Sequence, residues 1–408
     1  MKSNALSFIR LGDIADFRNG LNFSKESHGK GCPLIGVGDF KDNFSPKWDE
    51  LEEINPDGVS KFEDYLKEGD LLFVRSNGNK LLVGRSLYIN KDIKALYSGF
   101  CIRARLITDD ISPLFFAYFT KTQFFRDAIS FVAGTNINNL NQSILSEVRI
   151  PKYTKEKQAI IVNILSSLDE KIELNNRINV ELEAMAKTLY DYWFVQFDFL
   201  DENEKPYKSS GGKMVYNETL KREIPDCWEA VSVAQLVDIK TGKEDANFAT
   251  EKGKYHFFTC GEASLRCDNY VFNGQAILLA GNGSFSVKKF EGKFNAYQRT
   301  YVLMLRDELL FSPLYFAVSS RITALTSSSR GSIVKFITKG DIEDIYIPLP
   351  KDRDLTFSNI LSKNMSESSW LYEQNLELIK LRNWLLPMLM NGQVTLKPSN
   401  EIQETQHG

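Results

Sequence analysis

Two rhythms of apolar spacing run through this chain, and each assigns a different kind of element. Short β-branched and aromatic runs close in or beside glycine and asparagine: LLFVRSNG (Leu71 to Gly78), LVGRSLYI (Leu82 to Ile89), AILLAGNG (Ala276 to Gly283) and RTYVLML (Arg299 to Leu305). Such runs predict strands and turns. SPLFFAYF from Ser112 and SPLYFAVS from Ser312 predict helix starts, with serine as N-cap and proline in the first helical position.

The second rhythm is helical. From Lys155 to Phe194 there is neither proline nor glycine, and alternating steps of four and three select Ile161, Leu165, Leu168, Ile172, Asn175, Asn179, Leu182, Ala186, Leu189 and Trp193. That spacing predicts a coiled-coil seam, in which the two asparagines cost stability and fix register. A second seam, weaker in apolar content, runs through Leu361, Met365, Tyr372, Ile379 and Leu386, with Ser368, Asn375 and Arg382 among them. Pro387 is expected to kink or end that helix.

The two rhythms occur twice. LGDIADFRNG (Leu11 to Gly20) matches VAQLVDIKTG (Val233 to Gly242), and EGDLLFVRSNG (Glu68 to Gly78) matches NGQAILLAGNG (Asn273 to Gly283). ISPLFFAYF from Ile111 matches FSPLYFAVS from Phe311, and Ile150-Pro151 faces Ile347-Pro348. All four pairs keep one order, about 200 residues apart, which is the mark of a tandem duplication. The connector DENEKPYKSSGGKMV (Asp201 to Val215) is rich in charge, serine and glycine, as a surface linker should be.

With 408 residues the chain has room for two domains plus connectors. No stretch approaches the roughly 20 apolar residues of a membrane span, the N-terminus lacks an apolar leader, and five scattered cysteines fit a reducing cytosol. The tightest metal-like set, His256, Cys260 and Cys267, lacks the two short ligand pairs of structural zinc sites, so thiols packed in a core are the expectation and no metal is assigned.

A formal net charge of −3 excludes a chain coated in basic charge but not a local footprint. Basic residues gather between Arg75 and Arg126 and again between Lys288 and Lys339. Either stretch taken alone reads equally well as a solvated face.

Catalytic signatures are few. Gly36-Val37-Gly38 lacks the third glycine of a dinucleotide loop, no phosphate loop occurs, and Asn55-Pro56-Asp57 fails the adenine-methyltransferase pattern. No catalytic residue is assigned. What recurs instead is polar and basic side chains on glycine-bearing loops, the residue types that contact phosphates and base edges. The candidates in the first repeat are Arg75, Asn77, Asn79, Lys80, Arg85, Arg103, Arg105, Asn136 and Asn138. Those in the second are Asn282, Ser284, Lys288, Lys289, Arg299, Arg330 and Lys335.

On GDLLFVRSNGNKLLVGRSLYI, on GTNINNLNQSILSEVRIPK running into KEKQAIIVNILSSLDEKIE, and on the doubled domain–helix order, nearly the whole chain resembles a type I restriction–modification specificity subunit. The resemblance implies a mixed α/β (α+β) chain with two target recognition domains, each reading half of a bipartite site in double-stranded DNA through the major groove. It implies long helices packed as an antiparallel coiled coil that acts as a ruler. It also implies two methyltransferase subunits docked on the helices, restriction and motor subunits joining them, and S-adenosylmethionine, magnesium and ATP bound on those partners rather than here. A cytoplasmic protein without a membrane partner is the matching expectation. In these terms residues 1–154 form the first recognition domain, 155–197 the central helix, 198–221 a linker, 222–351 the second domain, 352–396 the distal helix and 397–408 a polar tail.

The second half departs from the pattern. Ala280-Gly281 stands where Arg75-Ser76 does, and Lys351-Asp352-Arg353-Asp354 replaces the helix start Glu156-Lys157-Gln158. Two other readings stay open on the residues alone, a standalone DNA methyltransferase or nuclease with a cryptic site and a coiled-coil protein scaffold.

Overall fold

The computed structural model describes residues 6–41, 43–79, 82–133, 139–327, 336–356 and 359–394. The chain forms two compact units, Met1–Glu173 with Leu376–Gly408 and Leu174–Asn375. Both boundaries fall inside the long helices, so each unit holds one mixed α/β domain and half of each helix.

In the first unit an antiparallel sheet runs in the order Ala15–Asn19, Cys101–Leu106, Leu71–Val74, Ser86–Tyr88. Leu71, Leu72, Phe73 and Val74 are all buried, which explains the unbroken apolar run: both faces of this central strand meet a core. One face packs against the helices Pro113–Thr120 and Gln123–Ala133 through Phe115, Phe116, Phe119 and Phe125. The other meets Ile35, Phe40 and Tyr97. Ser112 caps the first helix as expected, accepting the Phe115 N–H at 3.5 Å.

The second unit enlarges the same plan into six strands, in the order Val237–Thr241, Thr300–Leu305, Phe272–Ala280, Val287–Ala296, Tyr255–Phe258, Leu265–Cys267. Its core helix starts at Phe311, one residue before Ser312, so Ser312 is not the N-cap predicted for it. A 3-10 turn at Glu308–Leu310, capped by Asp307, leads straight into the helix, and Pro313 sits in the first turn, where no intrahelical N–H is lost. The segment Glu308–Thr326 is long and apolar enough, by length and composition alone, to cross a membrane. Half of it is buried, however, with Leu314, Val318 and Ile322 in the core of this unit.

The central helix runs Lys155–Tyr190 and ends in a π turn at Asp191–Val195. Gln158 anchors its start: its amide donates to the Asp110 and Tyr153 carbonyls, and its oxygen accepts the Ser112 N–H at 2.8 Å. The distal helix is described from Asn359. It starts later than expected because Asp352 and Asp354 bind backbone N–H groups two residues onward and hold turns there.

Pro387 neither ends nor interrupts the assigned helix, which continues to Met390. Leu389 and Met390 are buried in the first unit's core, and the Tyr153 hydroxyl donates to the Met390 carbonyl at 3.0 Å, so packing offsets the missing N–H.

Within each unit the helix halves are antiparallel. Asp169 pairs with Arg382 and Tyr153 with Met390 in the first, while Asn175 meets Asn375 and Glu183 meets Ser368 in the second. Of the predicted packing residues, Ile161, Leu165, Leu361 and Leu386 are buried, and Leu168, Ile172, Leu182, Leu189 and Ile379 are half-buried. Tyr372 is the exception. It is 52% exposed and Leu371 is buried beside it, while Ser368 and Asn375 on either side keep their predicted buried positions.

Candidate nucleic-acid interface

In each unit three segments meet at the end of the central strand. In the first, the Arg75 N–H donates to the Phe100 carbonyl at 2.7 Å, and the Arg75 carbonyl accepts the Leu140 N–H at 2.8 Å. In the second, the Gly281 N–H donates to the Arg299 carbonyl at 2.9 Å, and the Gly281 carbonyl accepts the Ile337 N–H at 2.8 Å.

The turn between flanking strands is also the same. Cys101 N–H closes on the Ser98 carbonyl and Thr300 N–H on the Tyr297 carbonyl, both at 2.8 Å. Gly20 and Gly242 end the edge strands against these turns. A Cβ on Gly20 would stand 2.1 Å from the Ser98 oxygen, and one on Gly242 would stand 1.9 Å from the Ala296 oxygen. This close approach accounts for the repeated glycine.

Strand register corrects the pairing drawn from sequence. Val74 lies opposite Cys101 and Ala280 opposite Thr300, so Arg75 occupies the place of Gly281 rather than Ala280. A one-residue slip inverts which face each side chain occupies. The SNG and GNG turns had suggested the wrong register because they lie one residue apart relative to the strands.

The candidate residues separate into three groups. Asn77, Asn79, Asn282, Ser284 and Arg299 lie on the converging segments. The Asn77 oxygen accepts the Asn79 N–H at 2.8 Å, which shapes the turn, and the Ser284 hydroxyl donates to the Cys260 carbonyl at 2.8 Å. Arg75 is half-buried at the same junction.

Several basic residues are held in contacts within the protein. Arg103 is 2% exposed, with its guanidinium on Asp16 and the Glu63 carbonyl. Arg105 makes a bidentate pair with Asp70, at 2.7 Å to each oxygen. Lys289 points to Glu183 and Ser368 on the long helices. Arg85 donates to the Lys41 carbonyl. Lys288 donates to the Thr259 and Gly261 carbonyls, and burial lowers its pKa. The alternation of charge could not separate these from free cations, because a strand residue facing an acidic neighbour looks the same in sequence. Lys80, Asn136, Asn138, Arg330 and Lys335 lie outside the described residues.

Sequence reasoning missed other surface groups. Phe100, Gln298 and Phe336 are exposed on or beside the converging segments. A cleft of about 590 Å³ beside Gly242 is lined by Lys240, Lys243 and Lys339 with Thr241 and Tyr301. The matched pair Arg18 and Lys240 was the available signal for it. Arg18 is held by Asp64 at 2.7 Å, whereas Lys240 lines the cleft.

His256 is held by Ser264 at 2.9 Å and faces Glu373 at 3.6 Å, and Cys267 is buried with its thiol on backbone carbonyls. Among the described residues no three metal-binding side chains cluster.

The chain is a tandem duplication of one mixed α/β domain, with matched loop junctions and antiparallel helix halves within each unit. The chain belongs to the family described as the type I restriction modification DNA specificity domain, whose model matches residues 6–184 and 225–364. It is 39% identical over 181 residues to the EcoDI specificity subunit of Escherichia coli, a match covering 42% of this chain and 40% of that protein. It is 26% identical over 317 residues to the MjaIX specificity subunit of Methanocaldococcus jannaschii, covering 71% of each. Its fold is similar to the crystal structure of a type I restriction–modification S subunit from M. genitalium, at a TM-score of 0.58 and 16% identity over 97% of this chain and 99% of that one.

Proposed function

We propose that this chain is the DNA-reading subunit of a type I restriction–modification complex, with each domain recognising one half of a bipartite site and no chemistry performed by the chain itself. The observation that carries the reading is the repeated loop junction at Arg75 and Gly281, a constant backbone frame presenting different side chains in the two domains. Two half-sites of different sequence require such a frame. Family membership and the relatives named as specificity subunits support the same role.

In this reading the long helices carry two methyltransferase subunits, and restriction and motor subunits join that assembly. S-adenosylmethionine, magnesium and ATP are bound by those partners, and the complex acts in the cytoplasm.

The test is to map methylated bases genome-wide with and without this chain, and to measure DNA binding by the assembled complex against salt. The expected results are two short sequence blocks with a gap, and affinity that falls steeply as salt rises. Cleavage or methyl transfer by the purified chain alone would favour a standalone enzyme. Absence of DNA affinity in the complete assembly would leave only a scaffold.

A further inference from the structure

The turns Ser98–Cys101 and Tyr297–Thr300 place one side chain of each domain at the same point of the same frame. The third residue of the turn is Phe100 in the first domain and Arg299 in the second. Its carbonyl is taken in both cases by the central-strand N–H, from Arg75 or from Gly281. The turn is closed on the strand side, and the glycine of the edge strand packs against its other flank. The side chain is left outside. Phe100 is 57% exposed, and Arg299 is exposed with no ion pair or hydrogen bond to its guanidinium among the described residues.

The two residues have opposite chemistry. An exposed phenyl ring on a clamped turn can be buried only by an apolar partner, and in the major groove of DNA the apolar feature is the thymine methyl group. A planar guanidinium with five donors matches the paired N7 and O6 acceptors of guanine. Because each turn is pinned by backbone bonds, neither residue needs ordering on binding beyond its own rotamers, which suits a reading role better than a phosphate contact made by a long, mobile lysine.

We propose that Phe100 and Arg299 are equivalent specificity-determining residues, with Phe100 selecting a T·A pair in one half-site and Arg299 selecting a G·C pair in the other. This rests on the functional reading above and names the side chains that distinguish the two halves.

The test uses the complete complex with its methyltransferase partners. Phe100→Ala, Arg299→Ala, Arg299→Gln and, as a control from the lysine-lined cleft, Lys243→Ala are compared by mapping methylated bases and by competition with single-base site variants. Arg299→Ala should lose about ten- to hundredfold of its discrimination at one guanine of one half-site while the other half is kept. Arg299→Gln should move the preference there toward adenine. Phe100→Ala should relax one thymine position in the opposite half. Lys243→Ala should weaken all sequences alike and reduce the salt slope by about one.

Arg299 variants that still select the wild-type sequence, or that weaken every sequence uniformly, would overturn the assignment while leaving the bipartite reading intact. A wild-type complex that selects no two-part site would instead sink the functional reading, and this assignment with it. Should Arg299→Ala fail to assemble, Arg299→Gln decides the question, since the backbone bonds at this turn do not depend on the side chain.

Discussion

In the second unit Asn175 and Asn375 face each other across the two long helices, with Nδ2 of Asn175 at 2.8 Å from Oδ1 of Asn375. Both are buried, Asn175 also donates to Gln374, and Asn375 donates to Asn176 at 2.8 Å. Among the described residues Oδ1 of Asn175 has no hydrogen-bond partner, so the pair stands at a net cost to a seam that leucine could fill. Its use is register, because a helix slid by one turn would set asparagine against an apolar side chain. Asn175→Leu should therefore destabilise the chain by about 1–3 kcal/mol, since it removes the buried donor to Oδ1 of Asn375. Asn175→Leu with Asn375→Leu should recover most of that loss. Urea unfolding of the singles and the double checks this, and a double mutant as weak as the sum of the singles would refute it.

The asparagine seam was legible in the sequence, because heptad spacing is a local property that survives folding unchanged. So were the duplicated strands, the Ser112 cap and the repeated glycines at Gly20 and Gly242. What failed depended on neighbours far along the chain. Arg103 and Arg105 looked like free cations until the strand pairing set them beside Asp16 and Asp70. Tyr372 has the spacing of a seam residue, but the neighbouring Leu371 is the one buried. The offset between Arg75 and Gly281 could not be seen, because two similar turns lie one residue out of register with their strands. Phe100 carries no polar group, so nothing in the sequence marked it as a surface contact.

Asp169 ties a helix of the first domain to both long helices. It accepts the Tyr118 hydroxyl at 2.8 Å and the Arg382 guanidinium at 2.6 Å. Burial and the adjoining Asp169 charge raise the Tyr118 pKa, so the phenol remains a donor across the working range. Asp169→Ala leaves both donors without their acceptor and should cost about 1–3 kcal/mol. A double-mutant cycle between Tyr118→Phe and Asp169→Ala should show coupling, and additive losses would mean that the contact carries no energy.

Thiol reactivity should follow burial. Cys101 is fully buried and its pKa is pushed up to about 12, chiefly by desolvation, while Cys32 and Cys267 are buried and raised by the same cause. The thiolate is the nucleophile, so these three should resist iodoacetamide near neutral pH in the folded chain. Cys227, which is exposed, should react before Cys101 although its pKa is also raised. Mass spectrometry of partially alkylated protein reads the order, and early labelling of Cys101 would show that the first domain opens.

Arg105 and Asp70 provide a case in which stability and recognition separate. Asp70 is 1% exposed, and both of its oxygens are taken by the Arg105 guanidinium. Removing the cation leaves a buried carboxylate uncompensated, which costs about 3–5 kcal/mol. Arg105→Ala should therefore lower the unfolding midpoint sharply, while any complex that still assembles keeps the wild-type recognition sequence. A changed base preference with undiminished stability would return Arg105 to the interface.

The two edge-strand glycines allow the duplication itself to be tested. At Gly20 and at Gly242 the obstacle to a side chain is a backbone carbonyl at about 2 Å, which cannot rotate away as a side chain would. Alanine must therefore displace the strand end or the turn that carries Phe100 or Arg299. Overpacking of this kind costs about 1–3 kcal/mol. Because each glycine serves one domain, Gly20→Ala should disturb recognition of one half-site and Gly242→Ala that of the other, each with a comparable loss of stability by urea unfolding. If both substitutions disturbed the same half-site, or neither lowered stability, the two turns would not be equivalent and the common frame would fail with them.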